Sequence, residues 1–181
     1  MKSKPKEQKT VLFKLLQKQF GTGNVEKEKK FQWRNDTKSI PAEYQTIHNA
    51  LVAYRGLHPV VEKKDIRCDF VIESDKLIIE FDERQHFSEA RKISLAHYPD
   101  SVVIHFDKSK WKKLCEEKQA KDNDPAYRDE QRALLDSVRD IAAAKNGYTL
   151  LRITEWDVDW TLPNAANELK KLLKAAKRTT S

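Results

Sequence analysis

Glycine and cysteine are scarce in this chain, and long apolar runs are missing. Four glycines and six prolines among 181 residues are too few for a collagen-like chain or a long flexible linker. No stretch approaches the ~18 uncharged apolar residues of a membrane-spanning helix, so no membrane partner is expected. The N-terminus, Met1-Lys2-Ser3-Lys4-Pro5-Lys6, lacks the apolar segment of a secretory signal. Cys68 and Cys115 form no Cys-x-x-Cys pair, which argues against structural zinc. They read as small core residues in a reducing, cytoplasmic compartment. Dense hydrophobic runs in the middle of the chain exclude disorder throughout, and the length suffices for one sizeable core.

What is abundant is positive charge, unevenly placed. The formal net charge is +7. Residues 1–36 carry +6, residues 169–181 carry +5, and the body between them is acidic at −4. Basic arms of this kind suit a polyanion, nucleic acid first and an anionic membrane surface second. The competing reading is a pair of solubilising tails.

Hydrophobic periodicity gives a coarse map. Residues 1–8 read as disordered. Thr10–Phe20 reads as a short amphipathic helix, ended by Gly21-Thr22-Gly23-Asn24. Residues 25–36 are ambiguous between a strand and an irregular basic segment. Ser39-Ile40-Pro41 opens a helix carrying Ile47, Leu51 and Tyr54, closed by Arg55-Gly56. A strand is expected near Val60-Val61. Cys68–Ile72 and Leu77–Asp82 read as two strands joined by a turn at Glu73–Lys76. Arg91–His97 reads as helical, Ser101–Phe106 as a buried strand, and Lys108–Gln119 as a charged helix with Trp111 and Leu114 as its apolar points. Arg128–Ala144 is a longer helix stopped by Asn146-Gly147. Tyr148–Ile153 is a strand, and Asn164–Lys177 a last amphipathic helix. Strands arriving both as a hairpin and through helical crossovers imply an α/β fold with a mixed sheet.

The hairpin carries the chemistry. With its turn centred between Ser74 and Asp75, Ile72 faces Leu77, Phe70 faces Ile79, and Asp69 faces Glu80. Phe70, Ile72, Leu77, Ile79 and Phe81 then share one apolar face, and Asp69, Glu80 and Asp82 the other. Carboxylates ~5 Å apart repel by about 3 kcal/mol at an effective dielectric near 20. A divalent cation reverses that sign, and a proton shared by the pair relieves it. A solvated sheet face is the plainer alternative. Just past the strand end, Gln85 and His86 add an amide that could orient water and an imidazole suited to proton transfer.

These residues resemble the Vsr-like branch of the PD-(D/E)XK nuclease superfamily, the very-short-patch repair endonucleases and related domains. The matching residues are Pro41-Ala42-Glu43, Asp69-Phe70, Ile79-Glu80-Phe81-Asp82 and Gln85-His86. They continue with Asp136, Arg139-Asp140 and Gly147-Tyr148-Thr149-Leu150-Leu151-Arg152. The likeness runs from about Pro41 to Val158, interrupted by an insertion over roughly 88–127. It departs from the pattern at two places. Asp82 stands where the superfamily usually has lysine, and Glu83 stands where this branch has glycine.

The resemblance implies a restriction-endonuclease-like three-layer core with a mixed central sheet flanked by helices. It implies one nuclease-like domain over 37–181, preceded by a basic extension over 1–36. Asp69 and Glu80 would bind Mg²⁺ (or Mn²⁺), with Asp82 as a third ligand or a partner for His86. His86 would assist proton transfer, with Gln85 beside it. Glu43 would reach the same site, or merely favour its helix's first turn. Lys29, Lys30, Arg34, Arg128, Arg132 and Arg139 are the candidate contacts to nucleic acid, DNA first. Arg139 with Asp140 is alternatively a structural pair, and Phe31 and Trp33 either stack on bases or pack. The leading expectation is therefore a metal-dependent endonuclease. The others are a non-catalytic nucleic-acid-binding module on the same fold and a protein-interaction domain with passive tails. Duplex cleavage by a one-site chain needs a homodimer or two nicking events.

Overall fold

The computed structural model of the chain describes residues 3–33, 40–56 and 65–178. Helix α1 (Pro5–Phe20) leads into strand β1 (Glu26–Phe31). Helix α2 (Ala42–Arg55) is followed by the hairpin β2 (Ile66–Ile72) and β3 (Leu77–Asp82). Three helices come next: α3 (Glu89–Ala96), α4 (Lys108–Lys118) and α5 (Arg128–Lys145). Strand β4 (Thr149–Thr154) and helix α6 (Ala165–Arg178) complete the chain.

The four strands lie in the order β1-β2-β3-β4. Pairs β1–β2 and β2–β3 are antiparallel, while β3–β4 is parallel, Leu77 opposite Thr149 and Asp82 opposite Thr154. The sheet is therefore mixed, and α3, α4 and α5 fill the crossover that a parallel pair requires. Helices cover both faces. On one face, Ile66, Cys68, Val71, Ile78 and Leu150 pack with residues of α2 to α5, among them Ile47, Leu95, Trp111, Leu134, Val138 and Ile141. On the other, Phe70, Ile72, Leu77, Ile79, Phe81, Leu151 and Ile153 pack with Leu12 and Leu16 of α1 and Leu169 and Leu173 of α6. Both cysteines are buried and free. Burial raises both thiol pKa values, Cys68's more than Cys115's, which reaches about 12. No described helix is long and apolar enough to cross a membrane.

Several expectations need correction. The first helix begins at Pro5, not Thr10, so residues 5–8 are helical. Proline suits a first helical position, where its missing N–H costs nothing. Gln8 extends the buried stripe of Leu12 and Leu16 one turn earlier, its side-chain amide donating to the Ser3 carbonyl. The expected basic extension instead supplies α1 to one layer and β1 to the sheet edge. Ser101–Phe106 is not a strand. Its alternation is real, with Val102, Ile104 and Phe106 packing on the core and Val103 64% exposed, but it finds no ladder partner. The insertion at 88–127 is part of the core, through Ala90, Leu95, Trp111 and Cys115. The expected strand near Val60-Val61 and the cap Ser39 lie outside the described residues.

Candidate active site

The hairpin forms with Phe70 opposite Ile79 and Ile72 opposite Leu77, as the sequence implies, but the expected Asp69–Glu80 pair is not part of the ladder. Beyond Phe70–Ile79 the ladder opens, and two side chains take over its hydrogen bonds. The Asp69 N–H donates to Glu80 Oε1 at 2.9 Å, and the Phe81 N–H donates to Asp69 Oδ2 at 3.0 Å. A local break in β2 allows this. Ile66 and Cys68 face one core, whereas Phe70 and Ile72 face the other, so alternation fails at Asp69. Glu28, across from it on β1, is unpaired in the ladder and takes φ 55°, in the left-handed region. Such a break re-aims a side chain that regular pleating would send elsewhere.

Each carboxylate thus spends one oxygen on a backbone N–H and turns the other to a cation. Lys9 of α1 meets Asp69 Oδ1 at 2.5 Å, and Arg139 of α5 meets Glu80 Oε2 at 3.3 Å. Glu80 is only 4% exposed. Burial pushes its pKa up to about 7, Asp69 adds to the rise, and Arg139 and Arg152 oppose it. A solvated sheet face is therefore not what formed.

A buried ionic layer lies between β3–β4 and α5. Glu80 and Asp82 project on the same face as Arg152, which is opposite Glu80 on β4. Arg152 binds Asp82 Oδ1 at 2.6 Å and Asp140 Oδ1 at 2.7 Å. Asp140 Oδ2 also accepts from Arg91 and from the Tyr98 hydroxyl, at 2.8 and 2.7 Å. The Trp111 indole N–H donates to Asp82 Oδ2 at 2.7 Å. Both oxygens of Asp82 are thereby held inside the protein, and Asp82 is 1% exposed. It is not placed as a third metal ligand, and His86 Nδ1 stands 3.9 Å from it.

His86 instead pairs with Asp136, Nδ1 to Oδ2 at 2.8 Å. Asp136 is itself held by Arg139 at 2.5 Å. Burial alone would raise the carboxyl pKa of Asp136, but His86 and Arg152 hold it well below its usual range. Asp136 is thus the acceptor and Nδ1 carries the proton, which leaves Nε2 for other work. Burial disfavours the His86 cation, yet the Asp136 charge and hydrogen bond outweigh it and raise the pKa.

The remaining expected residues disperse. Glu43, in the first turn of α2, pairs with Lys145 at 2.5 Å, which lowers its pKa. Lys145 lies six residues, about 9 Å, further along α5 than Arg139, so Glu43 is outside the cluster. Gln85 donates to Glu83 Oε2 at 2.8 Å rather than to a water-binding position by the carboxylates. Arg132 binds Asp122, Asp129 and the Gln85 carbonyl, and Arg128 binds Asp122, so both brace the loop before α5. Arg139 serves the interior, through Glu80, Asp136 and the Arg67 carbonyl. Lys29 pairs with Glu26 and Glu73, while Lys30 is exposed on β1. Arg34 lies outside the described residues. Phe31 and Trp33 stack on each other at 4.0 Å and pack against Tyr148, which makes them core-edge residues. Sequence reasoning missed Lys9 and Trp111 as partners of the acidic hairpin. Arg152, the last residue of the matched motif on β4, binds carboxylates.

Among the described residues there is no cluster of three His, Cys, Asp or Glu side chains able to hold a metal. The two carboxylates that meet where the ladder opens are Asp69 and Glu80. Each already presents one oxygen to a positive group, Lys9 or Arg139, so an ion completing its shell with phosphate oxygens and water would have to displace those partners. A cavity of about 220 Å³ bounded by Tyr54, Arg55, Lys92 and Glu130 holds none of the expected site residues. Comparison with protein-family models, curated proteins and solved structures finds no match to this chain.

Proposed function

We propose that this protein is a metal-dependent endonuclease, hydrolysing phosphodiester bonds in nucleic acid, DNA first. The observation that carries the reading is the pairing of Asp69 and Glu80 where the β2–β3 ladder opens, each with one oxygen turned to a cation. Placement at the carboxyl end of β3, beside a helical crossover, agrees with where open α/β sheets bind ligands. The order of Asp69-Phe70, Glu80-Phe81-Asp82, His86, Arg139-Asp140 and Arg152 supports the Vsr-like branch of the PD-(D/E)XK superfamily and its restriction-endonuclease-like fold.

A bound Mg²⁺ or Mn²⁺ would supply polarisation of a phosphate oxygen and a bound water of lowered pKa. The chain's own residues do the rest. Asp69 and Glu80 would hold the cation. Arg139 fixes the Glu80 carboxylate and, through Asp136, orients the imidazole. His86 moves a proton at Nε2, because Nδ1 is committed to Asp136. Asp82 acts from inside, holding Arg152 and Trp111.

A binding-only module on the same fold is favoured by one observation: Asp82 is closed off by Arg152 and Trp111, so the acidic pair has no third carboxylate. Supercoiled plasmid incubated with Mg²⁺ or Mn²⁺, with an EDTA control and a gel shift on the same samples, separates the two. Metal-dependent nicking or linearisation is expected. A salt-sensitive shift without cleavage under any divalent condition would sink the nuclease reading in favour of the binding module.

A further inference from the structure

The cavity of about 220 Å³ opens where four helix ends meet, the last turns of α2 and α4 and the first turns of α3 and α5. Glu130 of α5 lines it and is 1% exposed. Both oxygens of its carboxylate are buried and accept no hydrogen bond from any described residue. Its charge is nevertheless matched: Arg55 Nε stands 2.9 Å from Oε1, out of line for a hydrogen bond. The other acids of the lining are served. Asp129 accepts from Arg132 and from the Asp122 N–H, and Lys92 pairs with both Glu89 and Glu116. Glu130 is thus the buried acid left with a counter-ion and no donor, an unmet demand that folded proteins rarely leave. A second cation there would meet Arg55, and like charges repel. What is missing is neutral: two N–H donors side by side, the arrangement that engages both oxygens of one carboxylate. Among the nucleobases, guanine carries that edge, its ring N–H beside its exocyclic amino group. Tyr54 at the mouth is 39% exposed, with the Arg55 guanidinium 5.2 Å over its ring. Aromatic rings and guanidinium planes are the surfaces on which unpaired bases stack. The volume admits one base and falls short of the ~300–1,000 Å³ that engulfs a drug-sized ligand, so sugar and phosphate stay at the mouth beside the exposed Lys121.

We propose that this cavity is a guanine-binding site, separate from the acidic hairpin. Glu130 accepts the paired N–H donors of the base, and Tyr54 and Arg55 stack on it at the mouth. Entry turns aside the Arg55 side chain, which is 36% exposed, and leaves the helices in place. The base is supplied by a free nucleotide or by an unpaired guanine of a strand. Glu130 lies nine residues, about 14 Å, back along α5 from Arg139, so the site needs neither the carboxylate pair nor a metal. No covalent step is involved.

The test is calorimetric titration of the full chain in EDTA, which keeps the result independent of the acidic hairpin. The probes are GMP, IMP, AMP and L-arginine, with three single strands that differ only in guanine, hypoxanthine or adenine at one position. Hypoxanthine lacks the exocyclic amino group, adenine lacks the ring N–H, and arginine carries paired donors on a cation. Guanine is expected to bind, and hypoxanthine at least about tenfold more weakly, the loss of one hydrogen bond to a charged group. Adenine is expected to bind more weakly still. Glu130→Gln, which turns one acceptor into a donor, is expected to lose guanine binding on the same scale, and Tyr54→Leu to weaken all purines alike, with thermal melts confirming that both fold. The guanine-to-hypoxanthine ratio of the wild-type chain decides the question without any variant. GMP binding assigns a free nucleotide, and binding of the guanine strand without GMP assigns the strand. Equal affinity for the three bases, or guanine affinity unchanged in a folded Glu130→Gln, would overturn the site. So would arginine binding tighter than GMP, or no binding of GMP or of any strand.

Discussion

Glu80 is a carboxylate on the packed face of a sheet, beside another carboxylate, and its ionisation opposes folding. Its ordinary pKa is 4.5 and the folded value is about 7, from burial first and the Asp69 charge second, against the pull of Arg139 and Arg152. Between those two pH values the folded protein holds a proton that the unfolded chain has released. Stability contributed by the protonated form is therefore present at low pH and lost as pH rises through the folded pKa. The loss is on the order of 3 kcal/mol. In EDTA, Glu80→Gln is expected to gain stability relative to wild type by that order between pH 4.5 and 8, as read from urea melts. A difference constant across the range would show that Glu80 does not titrate there. Arg152 is the opposite case, a wholly buried cation shared by Asp82 and Asp140. Arg152→Met leaves the Oδ1 of each carboxylate without its cation and is expected to cost about 3–5 kcal/mol. A loss under 1 kcal/mol in the same melts would contradict the ionic layer.

At the scale of elements, the hairpin and the crossover divide the work. The hairpin places Asp69 and Glu80, and its register was legible because a short turn and strict alternation over Phe70, Ile72, Leu77, Ile79 and Phe81 leave one solution. The break at Asp69 was not legible. It depends on β1 crossing opposite with Glu28 unpaired in the ladder, about forty residues away in sequence. The helices were legible from their stripes, but not what their polar residues would meet. Asp136, Arg139 and Asp140 recur on the inward side of α5, but the helical pattern does not say which groups on the sheet they meet. Ser101–Phe106 misled because alternation reports a half-buried segment and says nothing of whether a neighbouring strand is available. Helix α4 earns its place by one contact that composition hides, the Trp111 indole on Asp82. Trp111→Phe keeps the ring's burial and leaves an Asp82 oxygen without its donor, so a loss of about 1–3 kcal/mol is expected in thermal or urea unfolding. A neutral result would mean that α4 packs without anchoring the site.

Over the whole molecule, the two basic arms of the sequence end in the same layer. Helices α1 and α6 both pack on the face lined by Phe70 and Ile79. They leave Lys6, Lys14 and Lys18 on α1, and Lys170, Lys171 and Lys174 on α6, exposed. Among the described lysines and arginines expected to touch nucleic acid, Arg139 is committed to the interior, while Arg128 and Arg132 brace a loop. For the proposed nucleic-acid partner, the helical lysines are therefore the better candidates for backbone contacts. On the nucleic-acid reading proposed above, DNA affinity is expected to fall at least roughly tenfold between 50 and 200 mM salt, because each counterion released by a phosphate contact gains less entropy at higher salt. Replacing Lys170, Lys171 and Lys174 by glutamine should weaken binding and flatten that salt dependence in the same anisotropy titration. A salt slope unchanged by the triple variant would place the nucleic acid elsewhere.

The central claim is that Asp69 and Glu80 together make a phosphodiester-cleaving metal site. The most direct measurement is plasmid cleavage in Mn²⁺ by Glu80→Ala and Asp69→Ala beside wild type, with folding checked by melting and DNA affinity by anisotropy. Loss of a group that stabilises transition-state charge by several kcal/mol corresponds to ~100-fold or more in rate. Both variants are expected to lose cleavage on that scale while remaining folded and DNA-bound. Cleavage at the wild-type rate by either one would contradict the claim.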